Sequence, residues 1–394
     1  MTETPELSPR ARPHRVLIAG GGFAAVEAML ALRALAGEIE IEVITAKPRF
    51  AYGPAATAQA FDHSPPLSYD FARIAADCHA EHRVDRIEAV APAARTARLA
   101  SGTLAPYDSL VLAIGARRLA RVAGALTFAG PADTPQFEAV LDDLAAGTAR
   151  RIVFAVPSGV TWALPLYELA LLTAGYAREH HSDADIAIVT PEHAPLDIFG
   201  AHASGLVRDL LAERDVRFLG ARIPERFDRD GHLHLRLEAA ALPADRVIAA
   251  PCMVGRAIPG IPGSWHGFVS TDERCRVEGL DGVYAAGDMT TYPIKQGGLA
   301  TQQADTIAGD IAARHAGVRA GDWPIVRVLR ARLIGGAQPV DLFATLDGAG
   351  RPLDARLDAA CGPAATLGAA AHTKVYGRHL TPYLGARAPR SSAA

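Results

Sequence analysis

A glycine turn near the start of the chain constrains the fold more than any other stretch. The apolar run at residues 15–19 leads into Gly20, Gly22 and Ala25, which follow the pattern G-x-G-x-x-A. In this pattern the first glycine allows a sharp strand-to-helix turn, the second lets the backbone approach a pyrophosphate, and the small third residue permits close packing. The N–H groups that open the helix then face phosphate oxygens. An ordinary tight turn would use the same residue types, so the motif needs support elsewhere.

Two later stretches supply that support. Residues 282–287 form an apolar run that ends in glycine and is followed by Asp288, and a Gly-Gly pair at 297–298 then opens a helix. Such a strand end can place a carboxylate against a ribityl hydroxyl, and the positive end of the helix can support negative charge on a reduced flavin. Between the two motifs, residues 107–116 have the pattern of a buried strand that ends in glycine. Residues 69–80 are predicted as a helix, and residues 83–115 as a small β-meander with its hairpin turn at 92–95.

Three such elements in this order resemble the two-dinucleotide-domain flavoproteins, the pyridine nucleotide-disulfide oxidoreductase superfamily. That superfamily includes disulfide reductases, type II NADH dehydrogenases and sulfide:quinone oxidoreductases, and the last two are closest in pattern. The resemblance implies an α/β fold of two Rossmann-like dinucleotide-binding domains with a small C-terminal cap. It also implies non-covalent FAD as the cofactor, with NAD(P)H as one electron donor to consider.

The same resemblance divides the chain into segments. Residues 1–13 are polar and proline-containing, so we interpret them as a disordered tail. The FAD domain is expected at 14–118 and 250–320, split around an inserted NAD(P)-type domain at 119–249. Residues 321–394 are expected to form a cap or a dimerisation segment, so that a homodimer is one expected assembly.

The resemblance implies a flavin-binding set drawn from the glycine turn, the second strand, an aromatic loop at 48–54 and the later strand ends. Relatives usually end the second strand with an acid for the adenosine ribose, whereas this contact is here either absent or made by the Thr45 hydroxyl. An alternative for the aromatic loop is that its rings pin a surface loop. The set comprises Gly20, Gly22, Phe23, Ala24, Ala25, Thr45, Ala46, Lys47, Tyr52, Ala113, Gly115, Gly287, Asp288, Lys295, Gln296, Gly297 and Gly298.

Three residues are implied at the reacting end of the flavin. Lys295, one of only three lysines in the chain, is expected to stabilise the reduced anion, unless it is a surface charge. Gln302 matches part of the glutamine pattern that type II NADH dehydrogenases place at the quinone end, and the alternative is a glutamine on a solvated helix face. Trp162 is expected to stack over the flavin where a nicotinamide would lie.

The second domain departs from its relatives at its own glycine turn. If Glu168 and Ala170 are matched to the E-x-A that follows the turn in nicotinamide-binding relatives, the three glycine positions become Thr161, Ala163 and Leu166. Each side chain keeps the backbone away from a pyrophosphate, so we expect poor nicotinamide affinity. The turn also lacks the reactive cysteine of sulfide:quinone oxidoreductases, which argues against a persulfide mechanism.

Cysteine and histidine spacing excludes several kinds of site. The four cysteines show no C-x-x-C or C-x4-C spacing, so thiol chemistry is expected to be dispensable. No histidine has acidic or thiol partners at metal spacing, so no metal site is expected. The cysteines are Cys78, Cys252, Cys275 and Cys361.

Net charge and hydropathy exclude further classes of function. The 394 residues carry a formal net charge of −3, so a nucleic-acid partner is not expected. No apolar stretch approaches the roughly 20 residues of a spanning helix, which predicts a cytoplasmic or at most peripheral membrane protein. The leading hypothesis is a flavin oxidoreductase that passes two electrons from a small donor, NAD(P)H first and sulfide second, to a small-molecule or quinone acceptor. The rival hypothesis is a catalytically silent flavoprotein that binds a partner protein.

Overall fold

The computed structural model describes residues 12–264, 266–318, 326–358 and 374–387. The first half contains β1 (Arg15–Ala19), α1 (Phe23–Leu35), β2 (Glu40–Thr45), β3 (Arg49–Ala51), α2 (Ala56–Asp62), β4 (Ser68–Asp70), α3 (Phe71–Asp77), β5 (Glu81–Val84), β6 (Ile87–Ala91), β7 (Thr96–Leu99), β8 (Leu104–Pro106), β9 (Ser109–Leu112), β10 (Arg117–Leu119), β11 (Leu126–Thr127), α4 (Thr134–Ala145), β12 (Arg151–Ala155) and α5 (Leu164–Glu179). The second half contains β13 (Asp185–Val189), α6 (Ala201–Glu213), β14 (Val216–Leu219), β15 (Pro224–Phe227), β16 (His232–Leu235), β17 (Leu242–Pro243), β18 (Arg246–Ala249), β19 (Cys252–Val254), β20 (Val283–Ala285), α7 (Gly297–His315), β21 (Arg327–Leu333), β22 (Val340–Leu346), β23 (Pro352–Asp358) and α8 (Leu380–Gly385).

The first parallel sheet has the strand order β20-β9-β1-β2-β5. Its central strand β1 is apolar on both faces because successive side chains point to opposite sides. Val16 and Ile18 pack into the core formed with α1 and α7, whereas Leu17 and Ala19 pack against β6–β8 on the other face. Strand β20 joins this sheet from far along the chain, as the resemblance implied.

The second parallel sheet has the order β11-β18-β12-β13-β14. Helices α4, α5 and α6 supply much of the core on one face of this sheet. A three-stranded antiparallel sheet, β21-β22-β23, adds its buried residues to the same core. Two parallel sheets with helices and a C-terminal piece confirm the predicted α/β class with two Rossmann-like units.

Two local predictions from the sequence differ from the structure. Residues 83–115 are predicted as a β-meander, but only β6, β7 and β8 form an antiparallel unit. Strand β9 is buried at every position and lies inside the parallel sheet, which is what a continuous apolar run favours. The predicted helix at 69–80 is confined to residues 71–77, where Asp70 caps it by accepting hydrogen bonds from the N–H groups of Ala72 and Arg73.

No helix in these described ranges combines the length and the apolar character needed to cross a lipid bilayer.

The C-terminal helix is held in place by a carboxylate from the first helix of the chain. Glu27 on α1 is fully buried, and its two carboxylate oxygens accept hydrogen bonds from the backbone N–H groups of His379 and Leu380 at 2.8 and 2.7 Å. Those N–H groups open α8 and would otherwise lack partners. Gly377 is required beside them, since a Cβ there would lie 2.6 Å from Glu27 Oε2. Glu27 therefore fixes the docked position of residues 374–387.

Asp305 on α7 makes this anchor sensitive to pH. Burial and, secondly, the Glu27 carboxylate raise the pKa of Asp305 to about 8. Arg378 and Arg327 act in the opposite direction, and His379 Nε2 lies 3.9 Å from Asp305 Oδ1. The folded protein thus binds a proton at Asp305 more tightly than the unfolded chain, whose aspartate pKa is about 3.9. The stability that this proton contributes is complete below pH ~4 and is lost as the pH rises towards the folded-state pKa.

We therefore expect Asp305→Asn to flatten the pH dependence of stability. Between pH 4 and 8 the wild-type protein should lose at least ~1 kcal/mol more unfolding free energy than the variant, measured by urea denaturation. Asp281→Asn is the contrasting control, because Arg314 lowers the pKa of Asp281 and its contribution therefore has the opposite sign. Parallel pH profiles for wild type and Asp305→Asn would contradict the prediction.

Candidate functional site

A cavity of about 420 Å³ lies where the carboxyl ends of both parallel sheets meet the C-terminal segment. Its wall contains residues that follow β1, β9 and β20 in the first sheet and β12 and β18 in the second. Lys374 and Val375 of the C-terminal segment close one side. Ligands of open α/β sheets bind at this edge, so the cavity is the candidate active site.

Eleven of the predicted site residues line this cavity. They are Gly22, Phe23, Ala24, Ala113, Gly115, Trp162, Gly287, Asp288, Lys295, Gln296 and Gly297. The aromatic loop predicted to lie along the flavin also contributes Ala51, Gly53 and Pro54. The structure therefore brings the three sequence motifs together in one place.

Eight predicted residues do not line it. They are Gly20, Ala25, Thr45, Ala46, Lys47, Tyr52, Gly298 and Gln302. Gly20 has a structural role: its φ is +141°, and a Cβ there would lie 2.1 Å from the carbonyl oxygen of Ala113, so only glycine lets β1 and β9 approach this closely.

Gln302 differs most from its predicted catalytic role. Its amide nitrogen donates to the carbonyls of Gly298 and Val328, and its Oε1 accepts from the N–H of Val328. The side chain therefore joins α7 to β21 instead of facing a substrate. The neighbouring Gln303 accepts a hydrogen bond from the N–H of Gly287 at 2.6 Å and supports the glycine that lines the cavity.

Thr45 and Tyr52 are also committed to internal contacts. The Thr45 hydroxyl donates to the carbonyl of Lys47 and lies 2.7 Å from His82 Nε2, so the predicted ribose contact gains no support. The Tyr52 hydroxyl accepts a hydrogen bond from the N–H of Val375 at 3.1 Å. Tyr52 thus positions the C-terminal segment and packs edge-on against Phe23, which does line the cavity.

The start of α1 fits a bound diphosphate. Gly22 is the N-cap, no side chain caps this helix end, and the first turn contains no acid. A Cβ at Gly22 would meet no heavy atom within 4 Å, so the space in front of the helix is open. Uncapped N–H groups at an open helix start bind phosphate oxygens.

Asp288 and Lys295 supply the charges next to this helix. The Asp288 carboxylate lines the cavity and makes no hydrogen bond to any residue that the structure describes, which leaves it available for a ribityl hydroxyl. Burial raises the pKa of Asp288, and Lys295 and Arg118 oppose that effect. Lys295 donates to the carbonyls of Thr290 and Tyr292, and burial lowers its pKa to about 8.

A buried ion pair at the other side of the cavity was not predicted from the sequence. Lys374 Nζ lies 2.5 Å from Glu168 Oε2 and 2.7 Å from the hydroxyl of Thr57, and all three residues line the cavity. Glu168 Oε1 also accepts from the N–H of Ile334 at 3.3 Å. Burial raises the pKa of Glu168, whereas the Lys374 ammonium opposes the shift. The rarity of lysine in this chain was the one signal that pointed to Lys374.

The turn after β12 closes the edge of the second sheet. Thr161 donates from its hydroxyl to the carbonyl of Pro293 at 2.6 Å, which fastens the turn to the segment that leads into α7. Trp162 lines the cavity and packs edge-on against the buried Phe199, with ring centroids 6.1 Å apart. The turn at residues 157–163 is thus fastened to the segment that leads into α7 and contributes to the cavity wall.

Glu192 lies three residues beyond the end of β13, where nicotinamide-binding Rossmann units place an acid for the ribose hydroxyls. Here its carboxylate already accepts hydrogen bonds from the hydroxyls of Tyr167 at 2.7 Å and Thr190 at 2.8 Å. Burial raises the pKa of Glu192. The carboxylate of this half-buried acid is therefore already hydrogen-bonded within the protein.

Among the described residues no cysteine lines the cavity. Cys78 and Cys275 are buried, and burial raises the pKa of each thiol to about 11. Cys252 is partly exposed and donates to the carbonyl of Ser158 at 3.5 Å. Cys361 lies outside the described residues.

The family model for pyridine nucleotide-disulphide oxidoreductases matches residues 14–305. The chain belongs to this family. A sulfide-quinone reductase of Aquifex aeolicus is 25% identical over 215 residues, which are 52% of this chain and 50% of the relative, so the match spans about half the length of that protein.

Solved structures share the fold over most of the chain. The sulfide:quinone oxidoreductase of Aquifex aeolicus superposes with a TM-score of 0.78 at 19% identity and covers 88% of this chain and 86% of its own. A ferredoxin reductase from Rhodopseudomonas palustris superposes with a TM-score of 0.66 at 20% identity over 85% and 83%. Family membership and the cavity together support an FAD-dependent oxidoreductase.

We expect Gly22→Val to abolish flavin binding without unfolding the protein. The valine side chain would fill open space that the phosphates need, and no described residue would clash with its Cβ. Gly37→Val is a matched control, because a Cβ at Gly37 also meets nothing within 4 Å but lies at the far end of α1. Flavin absorbance per protein after desalting gives the answer, with circular dichroism to check folding. Full flavin content in Gly22→Val would disprove the assignment.

Removing one partner of the Glu168–Lys374 ion pair should destabilise the protein more than removing both charges. Lys374→Met leaves the Glu168 carboxylate buried without its cation and should lower the unfolding free energy by about 3–5 kcal/mol. Adding Glu168→Gln should recover much of that loss, because the buried charge is removed. The exposed pair Arg178–Asp215 is the control, where Arg178→Met should cost less than about 1 kcal/mol. Urea denaturation of the flavin-loaded wild type and these three variants measures the unfolding free energies. An equal loss of unfolding free energy in Lys374→Met and in the double variant would refute the argument.

Proposed function

We propose that this protein is an FAD-dependent oxidoreductase that takes two electrons from a small donor other than NAD(P)H and passes them to a quinone. The observation that carries this proposal is the fastened turn at residues 157–163. Thr161 joins that turn to Pro293, and Trp162 forms the cavity wall where a nicotinamide would have to enter.

The residues present fit FAD. Bound FAD supplies the two-electron chemistry, and the protein supplies orientation and charge. The open start of α1 would hold the diphosphate, and the free carboxylate of Asp288 would hold a ribityl hydroxyl. Lys295 and the positive end of α7 would stabilise negative charge beside the ring system.

NAD(P)H is the donor that the sequence favours first, and two structural features argue against it. The acid expected to bind the ribose, Glu192, is already hydrogen-bonded to Tyr167 and Thr190. The turn that would hold the pyrophosphate lacks glycine at the matched positions and is tied to the first sheet unit. The hydroxyls of Tyr167 and Thr190, which are buried, would lose their acceptor if a ribose took over the Glu192 carboxylate, and an unpaired buried hydroxyl is costly.

A quinone acceptor suits the remaining wall of the cavity. Aliphatic side chains such as Ala56, Leu164 and Val375 line it, beside Glu168 and Lys374. A quinone needs an apolar pocket for its ring and hydrogen-bond donors at its oxygens, and the Lys374 side chain supplies N–H donors at this wall. The relative from Aquifex aeolicus is a sulfide-quinone reductase, which supports the same acceptor class.

Anaerobic mixing tests the proposal. The flavin-loaded protein is mixed with NADH, NADPH or sulfide at micromolar concentration, and the visible flavin band is followed in a stopped-flow instrument. Neither NADH nor NADPH should bleach the flavin on the time scale of turnover. Sulfide is the first small donor to test. Reoxidation of the reduced protein by a short-chain quinone tests the acceptor. Rapid bleaching by NADH or NADPH would disprove the choice of donor, and bleaching by no donor would favour the silent flavoprotein.

Trp162→Ala should open the cavity wall at the turn of residues 157–163. We expect it to speed reduction by NADH at least about tenfold over the wild type, because the space of the indole becomes available to the nicotinamide. Thr161→Val, which removes only the hydrogen bond to Pro293, should have a smaller effect in the same direction. An unchanged rate in both variants would show that this turn does not control access.

A further inference from the structure

We propose that Arg118 binds a small anion at the mouth of the cavity, so that the electron donor is an anionic small molecule. The inference rests on the proposed function, since it names the chemical class of the donor for the same site. Nothing in the flavin motifs or in the family match assigns a role to this residue.

The strand pairing aims Arg118 into the cavity. Strand β10 pairs antiparallel with β19, and Arg118 is opposite Met253 in that register. Both of these residues line the cavity. Because side chains alternate along a strand, Arg117 and Leu119 point to the opposite face of the ribbon, and all three residues are exposed to solvent. The ribbon thus presents one guanidinium to the mouth of the cavity and one to the opposite face.

The Arg118 guanidinium has no partner in the part of the chain that the structure describes. It makes no hydrogen bond and no ion pair there, so that its N–H donors are available to a ligand. The other cations that line the cavity all have partners: Lys295 donates to two carbonyls, Lys374 pairs with Glu168, and Arg332 pairs with Asp341. Arg118 is therefore the cation of the cavity wall that remains available to a ligand.

The surroundings favour an anion over a neutral ligand. The guanidinium lies against Gly130, where a Cβ would stand 3.4 Å from Arg118 Nη1. Phe128, Pro131 and Met253, which are apolar, line the same cavity. Charge pairing is stronger beside apolar side chains than in open water. A planar guanidinium also binds carboxylates and oxyanions through two parallel hydrogen bonds.

Arg118 lies in the part of the cavity where we propose that the electron donor binds. Residues 128–131 lie next to Arg118 in the wall, and Gly159 and Trp162 of the fastened turn line the same cavity. The charge of Arg118 reaches the cavity interior, since it acts on the carboxyl group of Asp288. An anion held by Arg118 thus lies in the cavity that also contains Trp162 and Asp288.

Sulfate is the probe for this site. The flavin-loaded protein is titrated with sodium sulfate at constant ionic strength, and the flavin absorbance and the tryptophan fluorescence are recorded, since Trp162 lines the same cavity. The wild-type protein should show a saturable change. Arg118→Gln should raise the apparent Kd at least about tenfold, which corresponds to the loss of one charge-assisted contact.

Arg117→Gln is the matched control, because it removes the same charge from the same strand but on the outer face. It should leave the sulfate titration unchanged, and Arg118→Lys should bind with intermediate strength because a single ammonium cannot form the paired contact. With any anionic donor that bleaches the flavin, Arg118→Gln should raise the donor KM and leave the limiting rate of bleaching unchanged.

Three results would overturn the inference. A wild-type protein that shows no saturable change with sulfate, or equal affinities in Arg118→Gln and Arg117→Gln, would show that Arg118 binds no anion there. Loss of FAD from Arg118→Gln with normal FAD in Arg117→Gln would assign the guanidinium to a cofactor phosphate. Rapid reduction by NADH would instead overturn the proposed function, and the sulfate titration distinguishes that failure from this one.

Discussion

The ion pair between Glu168 and Lys374 is the contact on which the geometry of the site depends. It joins α5 of the second sheet unit to the C-terminal segment, and Thr57 adds α2 of the first unit through the same carboxylate oxygen. A buried charge pair is a weak source of stability but is costly to leave half-made, so the pieces must arrive together. Glu27 and Tyr52 then fix the same segment from the first unit. The cavity wall is thereby defined only in the fully assembled fold.

Features that depend on local sequence could be predicted. A few neighbouring residues determine the backbone geometry of three such features. They are the glycine turn at residues 20–25, the strand that ends at Asp288 and the Gly-Gly helix start at 297–298. The structure places them around one cavity. Continuous apolar runs predicted β1, β9 and β20 of the first sheet. The meander predicted at 83–115 extends only over β6–β8, because local pattern does not show which strand becomes central.

Side-chain roles that depend on distant partners could not be predicted. Gln302 fits a family pattern, yet its amide is bound by the backbone of β21, a strand about two dozen positions further along the chain. The Thr45 hydroxyl is likewise taken by Lys47 and His82. Such choices are set by which donors and acceptors the folded chain leaves unpaired, because burial makes an unpaired group expensive. Sequence spacing does not show which donors and acceptors find partners in the folded chain.

In the second sheet unit, the residues that hold the fold are separate from those at the carboxyl edge. Parallel strands need covered faces and crossover helices, and those requirements are met by apolar residues far from the carboxyl edge. At the edge, the hydroxyls of Thr161, Tyr167 and Thr190 all donate hydrogen bonds within the protein. The unit then acts as a wall that holds Trp162 and Glu168 against the first unit. Because its α5 carries Glu168, removing the unit would also remove the carboxylate that positions Lys374.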